Sequence, residues 1–415
     1  LIRRKPRGSP NIWAPGAAQN PGAGSRNGPS WPPRPAVPES QEPSTIPPSP
    51  SPARDLRFHF ARLGSPLRWS AEGPGAALLC LPAIAISLYA GIALGQPAAG
   101  MVAAGGALSV GFGAFQQLSA IRALPMILAA TGMAVSTLFG SALGSHALAF
   151  AVMLGLWAGF CGLATTLGAG AWWTVLQWVI AMLVAGSRPS SLLGSLERAG
   201  LVLAGGGLQV LIVSAAWRFK LVPEATMQPL PRAPLRTAQR LLRRHMSLDA
   251  PTGRYALVLT ISMTFVDLVA RRLSLPNGYW APMTLLLLLK PGFRDTFKRG
   301  AQRILGTIGG AGAATLIAAL LRPHDTLTAA LVTASAFGAY ALLRVNYLAY
   351  SVCITAYIAF MLSLAGTPEP VVAADRVMGT VAGGLAALMV HSAWTASERW
   401  RIRQQRLQRL STAPS

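Results

Sequence analysis

Residues 277–310 read NGYWAPMTLLLLLKPGFRDTFKRGAQRILGTIGG. The aromatic pair Tyr279-Trp280 opens an apolar run that ends at Lys290-Pro291-Gly292, where proline removes a backbone donor and the chain must turn. Lys290, Arg294, Lys298, Arg299 and Arg303 then crowd the turn, opposed only by Asp295. Beyond Arg303 no charge recurs until Arg322, a length that crosses a bilayer. A loop this basic between two apolar segments marks the cytoplasmic side of a membrane. One stretch thus points both to an integral membrane protein and to its orientation.

The whole chain agrees. Of 415 residues 52% are hydrophobic and only 12% charged, whereas soluble domains carry about 25% charged residues. The mean hydropathy is +0.44. A net charge of +23 on a soluble protein would suggest nucleic acid. Here the basic residues sit in tails and loops beside apolar spans, so membrane orientation explains them and no nucleic-acid partner is expected. Cys80, Cys161 and Cys353 stand singly in apolar segments and build neither a metal spacing nor a disulfide framework.

Residues 1–70 form a Pro-rich basic tail, expected to be disordered because it has almost no aliphatic clustering to bury. It lacks the pattern of a secretory signal, and a chain opening on Leu1 suggests a truncated or misassigned start. Within it the basic, aromatic stretch 54–69 suits the inner membrane surface. Between Glu72 and Arg188 the single charged residue is Arg122, which requires a run of membrane helices cut by turns. Spans are expected at 75–94, 97–114, 122–143, 146–167, 171–184 and 193–217, within a first repeat over 71–218. A second repeat over 254–397 holds spans at 255–269, 279–289, 303–321, 327–342, 347–364 and 372–394. The linker 219–253 is basic, and 236–248 suits a short amphipathic helix at lipid headgroups. The tail 398–415 is again basic and amphipathic.

The halves echo each other. Glu197-Arg198, Ala204-Gly205-Gly206 and Ser214 to Trp217 mirror Asp375-Arg376, Ala382-Gly383-Gly384 and Ser392 to Trp394. Arg122-Ala123-Leu124 mirrors Arg303-Ile304-Leu305. The expected fold is an all-α integral membrane protein of two parallel repeats of about six transmembrane helices each, with a substrate path at their interface. Gly132, Ser136, Gly140 and Gly144 recur every four residues, a ladder of small side chains that lets helix backbones approach.

On these motifs the second half resembles the FUSC-like (fusaric acid resistance protein-like) integral membrane family. The resemblance rests on Tyr279-Trp280, the turn at Pro291-Gly292, Thr296, and the run of Arg303, Leu305, Gly306, Thr307 and Gly310. The stretch DRVMGTVAG at 375–383 fits the closing helix of that family. The first half matches in degenerate form. The resemblance implies export of aromatic carboxylic acids; related plant aluminium-activated malate transporters conduct organic anions.

The residues add their own argument for anions. An ionisable group at membrane depth is by default a functional candidate. Arg303 and Arg122 open one pair of mirrored helices, and Arg376 and Arg198 another; guanidinium pairs a carboxylate with two parallel hydrogen bonds. The alternative is that each anchors at the interface and snorkels to headgroups. Lys290 is either the inner mouth of the path or a positive-inside stop. Tyr279, Trp280, Tyr347 and Tyr350 either stack an aromatic substrate or belong to the interfacial aromatic belt. Asp267 lies four residues before Arg271, a spacing that favours a local ion pair; otherwise it is the best-placed carboxyl for proton coupling. Asp375 reads as the partner of Arg376, and Asn346 as a loop cap.

Catalysis has little to stand on. The five histidines are dispersed without a second ligand at helical spacing. No nucleophile set, phosphate loop or nucleotide motif appears, so no catalytic residue, metal or cofactor is expected. The reading is a bacterial inner-membrane transporter with cytoplasmic termini, exporting small organic anions such as aromatic carboxylic acids in exchange for proton influx. A passive organic-anion channel is one alternative, and a non-transporting scaffold that binds anionic lipid or a partner is another. Expected partners are a small organic anion, membrane lipid, and either a second copy of the chain or an accessory efflux subunit.

Overall fold

The computed structural model describes residues 73–116, 118, 121–219, 235–275, 277–289, 296–367 and 369–411. The tail 1–70 and Lys290, with the turn at Pro291-Gly292, lie outside the described residues. Among the described residues the regular structure is helical throughout. The first half holds α1 (Gly73–Leu79), α2 (Leu81–Ala93), α3 (Pro97–Gly111), α4 (Leu124–Leu143), α5 (Ala147–Ala164), α6 (Ala169–Gly186) and α7 (Leu192–Arg218). The amphipathic α8 (Leu235–His245) follows in the linker. Then come α9 (Pro251–Arg272), α10 (Trp280–Leu288), α11 (Thr296–Leu321), α12 (Asp325–Leu342), α13 (Tyr347–Ser363) and α14 (Glu369–Ser411).

Local chemistry sets several of these starts. Proline occupies the first turn of α2, α3, α4 and α9, where its missing N–H removes nothing. Ser191 caps α7 by accepting from the Gly194 amide, and Asn346 caps α13 by accepting from the amides of Leu348 and Ala349, as the sequence suggested.

Among the described residues nine helical segments are long and apolar enough to cross a membrane. Each span expected in the first half coincides with one of them; in the second half α9, α11 and α14 do. The others differ. The α10, α12 and α13 helices, of 9, 18 and 17 residues, lie where spans were expected but are not among the nine. A helix that lines a cavity and packs against protein need not offer lipid a full-length apolar surface. The α11 helix also begins at Thr296, so Arg303 lies two turns inside it rather than at its mouth.

Outward faces carry apolar stripes. Val152, Leu156 and Phe160 on α5, and Leu257, Ile261 and Phe265 on α9, are between 43% and 64% exposed at four-residue spacing. Such stripes suit lipid, which is as apolar as they are. Between helices, small residues set the spacing. A methyl added at Gly140 would lie 2.6 Å from the Met182 carbonyl oxygen, and one at Gly144 2.7 Å from that of Gly186. Ser136, also on the ladder, accepts a hydrogen bond from the Trp157 indole at 2.8 Å. The ladder is a packing seam between α4 and α6.

Packing is mirrored across the chain. In the first half α3 packs on α7, and α4 on both α6 and α7. In the second half α10 packs on α14, and α11 on both α13 and α14. The halves also interlock, α5 against α9 and α12 against α1 and α2. Helix direction follows from the order of crossings. The linker leaves α7 and enters α9 on one face, here the linker face, so α6, α11 and α13 start there and α7 and α14 start on the far face. An ion pair at 3.2 Å between Arg254, at the start of α9, and Glu398, late in α14, joins two segments on the linker face.

Candidate functional site

Between α3, α4, α6 and α7 of the first half and α10, α11, α13 and α14 of the second lies a partly open cavity of about 930 Å³. Its wall follows α6 from Ala169 to Ala185 and α13 from Tyr347 to Leu362, about 22–24 Å of helical rise. That rise is comparable with most of the about 30 Å thickness of a bilayer's hydrocarbon core. Spread over that length, the volume gives a mean section of about 40 Å².

The wall is one-signed. Lys298, Arg299 and Arg344 border its linker end, Arg188 and Arg198 its far end, and Arg303 and Arg376 its middle. Among the described residues no Asp or Glu lines it. Arg303 comes from α11, seven residues in from the linker face, and Arg376 from α14, seven residues in from the far face. Seven residues are about 10 Å of helical rise, so both lie within the bundle, where Arg303 acts electrostatically on Arg376.

Both are buried, Arg303 at 4% exposure and Arg376 at 1%. The Arg376 guanidinium stacks over the Trp280 ring at 4.1 Å from its centroid. Its Nε donates to the Thr355 hydroxyl at 3.3 Å, while both terminal nitrogens lack a partner. The Nε of Arg303 and the hydroxyl of Tyr357 are likewise unpaired. Buried donors without partners are rare in native proteins and call for an explanation. Asp375 is not the partner of Arg376, contrary to the sequence expectation. It accepts from the Asn277 amide at 2.8 Å, because consecutive helix positions point about 100° apart and α14 turns the two side chains to different neighbours.

The other expected site residues fall in three places. Tyr279 and Trp280 line the cavity, with ring centroids 4.3 Å apart, and Trp280 is buried rather than belted at the interface. Arg198 lines it half-buried and donates to the Arg188 carbonyl. Arg122 does not line it; its guanidinium lies over Trp217 at 4.7 Å. Asp267 is buried on α9 and pairs with Arg271 at 2.8 Å, as its spacing suggested. Arg271 also donates to the Gly144 carbonyl at 2.8 Å and lies over Phe150, so this pair ties α9 to the end of α4, away from the cavity wall. Sequence reasoning passed over Tyr357 and the loop cations Arg188 and Arg344 as cavity residues. A signal for the tyrosine existed, since Tyr347, Tyr350, Ile354 and Tyr357 recur at helical spacing on the face of α13 that lines the cavity.

The nine long apolar helical segments among the described residues indicate a multi-pass membrane protein. Residues 261–390 match the family model described as fusaric acid resistance protein-like. The chain is similar to the uncharacterised protein slr1298 of Synechocystis sp., 28% identical over 166 residues that make up 40% of this chain and 22% of that protein. It is also similar to the uncharacterised protein YhfK of Escherichia coli, 35% identical over 107 residues, 26% of this chain and 15% of that protein. The matched region thus spans less than a quarter of the length of either relative. No solved structure matches.

Proposed function

We propose that this protein carries small organic anions, aromatic carboxylates foremost, across the bacterial inner membrane through the cation-lined cavity. One observation carries the reading: two buried arginines with free donors line one cavity whose described wall holds no carboxylate. Trp280, Tyr279 and Tyr350 beside them suit an aromatic ring, and the fork of Arg376 suits a carboxylate. The mirrored helix contacts support two parallel repeats. A methyl at Gly205 would meet the Ala103 carbonyl, and one at its counterpart Gly383 would meet that of Ala281, so matching glycines seat matching helix pairs.

The basic linker, Lys298, Arg299 and the arginines of late α14 share the linker face, which this reading places in the cytoplasm together with both termini. In its full form the proposal is outward transport driven by the proton gradient, with Asp267 as the titrating group. A passive anion channel is the second reading, and it draws on the pairing of Asp267 with Arg271 away from the wall. Flux of aromatic and aliphatic carboxylates in proteoliposomes, with and without an imposed pH gradient, separates them. Gradient-driven flux supports the coupled form, and flux that follows voltage alone supports the channel. Absence of flux for every anion sinks both and turns attention to lipid or partner binding by the basic segments.

A further inference from the structure

We propose that the Arg303–Arg376 centre makes this protein an anion exchanger, in which one anion leaves the centre as another takes its place. The inference rests on the cavity as an anion path and adds a coupling that neither reading above contains.

The argument begins with charge at depth. Arg376 is 1% exposed with both terminal nitrogens unpaired, and Arg303 beside it is 4% exposed with its Nε unpaired. The nearest carboxylate in sequence, Asp375, is taken by Asn277. The carboxylate of a proton cycle, Asp267, is taken by Arg271 on another helix pair. Guanidinium does not shed its proton to escape burial. A buried charge stripped of its counter-charge is strongly unfavourable, and here two like charges line one cavity and repel each other. Any rearrangement that turns the centre from one face to the other must move both through a low-dielectric interior. With an anion on the centre that barrier is lowered by the opposite charge; without one it stands in full. The loaded centre therefore turns quickly and the empty one slowly. A cycle whose fast steps are all loaded steps exchanges anion for anion, and a small inorganic anion such as chloride fits the same donors as a carboxylate.

The test uses the whole 415-residue chain in proteoliposomes, with equal potassium on both sides and valinomycin holding the voltage at zero. Uptake of radiolabelled benzoate is followed into vesicles holding unlabelled benzoate, chloride, or dextran sulfate, a polyanion too large for the cavity. Internal benzoate or chloride is expected to speed uptake on the order of tenfold or more over dextran sulfate. In Arg376→Met the exchange slows, yet the ratio of benzoate-loaded to dextran-loaded uptake falls to about twofold or less, because a less charged centre turns empty more readily. Arg303→Met is the second variant and predicts the same collapse. Equal wild-type uptake with all three internal solutions overturns exchange while leaving anion conduction standing. A ratio unchanged in both folded variants also overturns it. No uptake under any condition removes the anion path itself, and exchange with it.

Discussion

Replacing Arg376 by methionine sets the binding role of this residue against its role in stability. The substitution removes the stack on Trp280 at 4.1 Å, worth about 2 kcal/mol when desolvated. It also removes the hydrogen bond to Thr355 at 3.3 Å, worth about 1 kcal/mol. Against these losses it relieves a buried charge with no counter-charge among the described residues, a burden of about 3–5 kcal/mol. Without anion, Arg376→Met should therefore be more stable than the parent by about 1 kcal/mol. With benzoate at a hundredfold its Kd, the parent gains about 2.7 kcal/mol and the variant almost none, so the order reverses. Thermal unfolding in detergent, in chloride-free buffer with and without benzoate, reads both numbers as shifts of a few degrees. If the variant melts below the parent without anion, or gains as much from benzoate, Arg376 is a packing residue and the reasoning fails.

The remaining predictions concern the surroundings of that centre. Gly383→Leu drives a side chain into the Ala281 carbonyl and Thr284 and should lower stability by about 1–3 kcal/mol or more, read as loss of monodisperse protein on size exclusion. Gly207→Ala, which meets nothing within 4 Å, should leave that profile unchanged. Asp267→Asn weakens the pair with Arg271 that ties α9 to α4 and should reduce thermal stability by about 1–3 kcal/mol, while the response of benzoate uptake to internal anions stays as in the parent. If it instead abolishes flux driven by a pH gradient at unchanged stability, Asp267 carries the proton. The double change Lys298→Gln, Arg299→Gln, at the linker end of the cavity, should slow anion entry a few-fold in low salt. That difference should shrink above about 0.15 M salt, where the Debye length is about 8 Å; persistence at high salt would mean these cations act by contact rather than by field.

Much of the architecture was legible in the sequence because membrane helices announce themselves locally. A bilayer leaves backbone groups no partner but their own helix, so apolar length and charge placement marked the spans of the first half, along with α9, α11 and α14. The same local logic located the packing ladder on α4, the Asp267–Arg271 pair and the Asn346 cap, since each is a matter of spacing along one helix. Where a helix is sheltered by protein the rule loosens: α10 and α13, built into the cavity wall, lie where spans were expected yet are not among the nine long apolar segments.

The site divides along the same line. Arg303 and Arg376 were visible as charges in apolar sequence, but whether they anchor at headgroups or face inward is not a property of either helix alone. Their burial follows from the packing of α11 against α14, which brings two residues 73 positions apart to the wall of one cavity. The rotation of α14 separates Asp375 from Arg376 and leaves the guanidinium over Trp280 without a carboxylate. Arg122, which reads in sequence as the twin of Arg303, lies over Trp217 outside the cavity wall. Sequence alone determined that this chain crosses a membrane, and roughly where, because solvent exclusion acts on each segment by itself. Which of its arginines meet in the interior was decided only by tertiary structure, because depth, rotation and partner are set by the neighbouring helices.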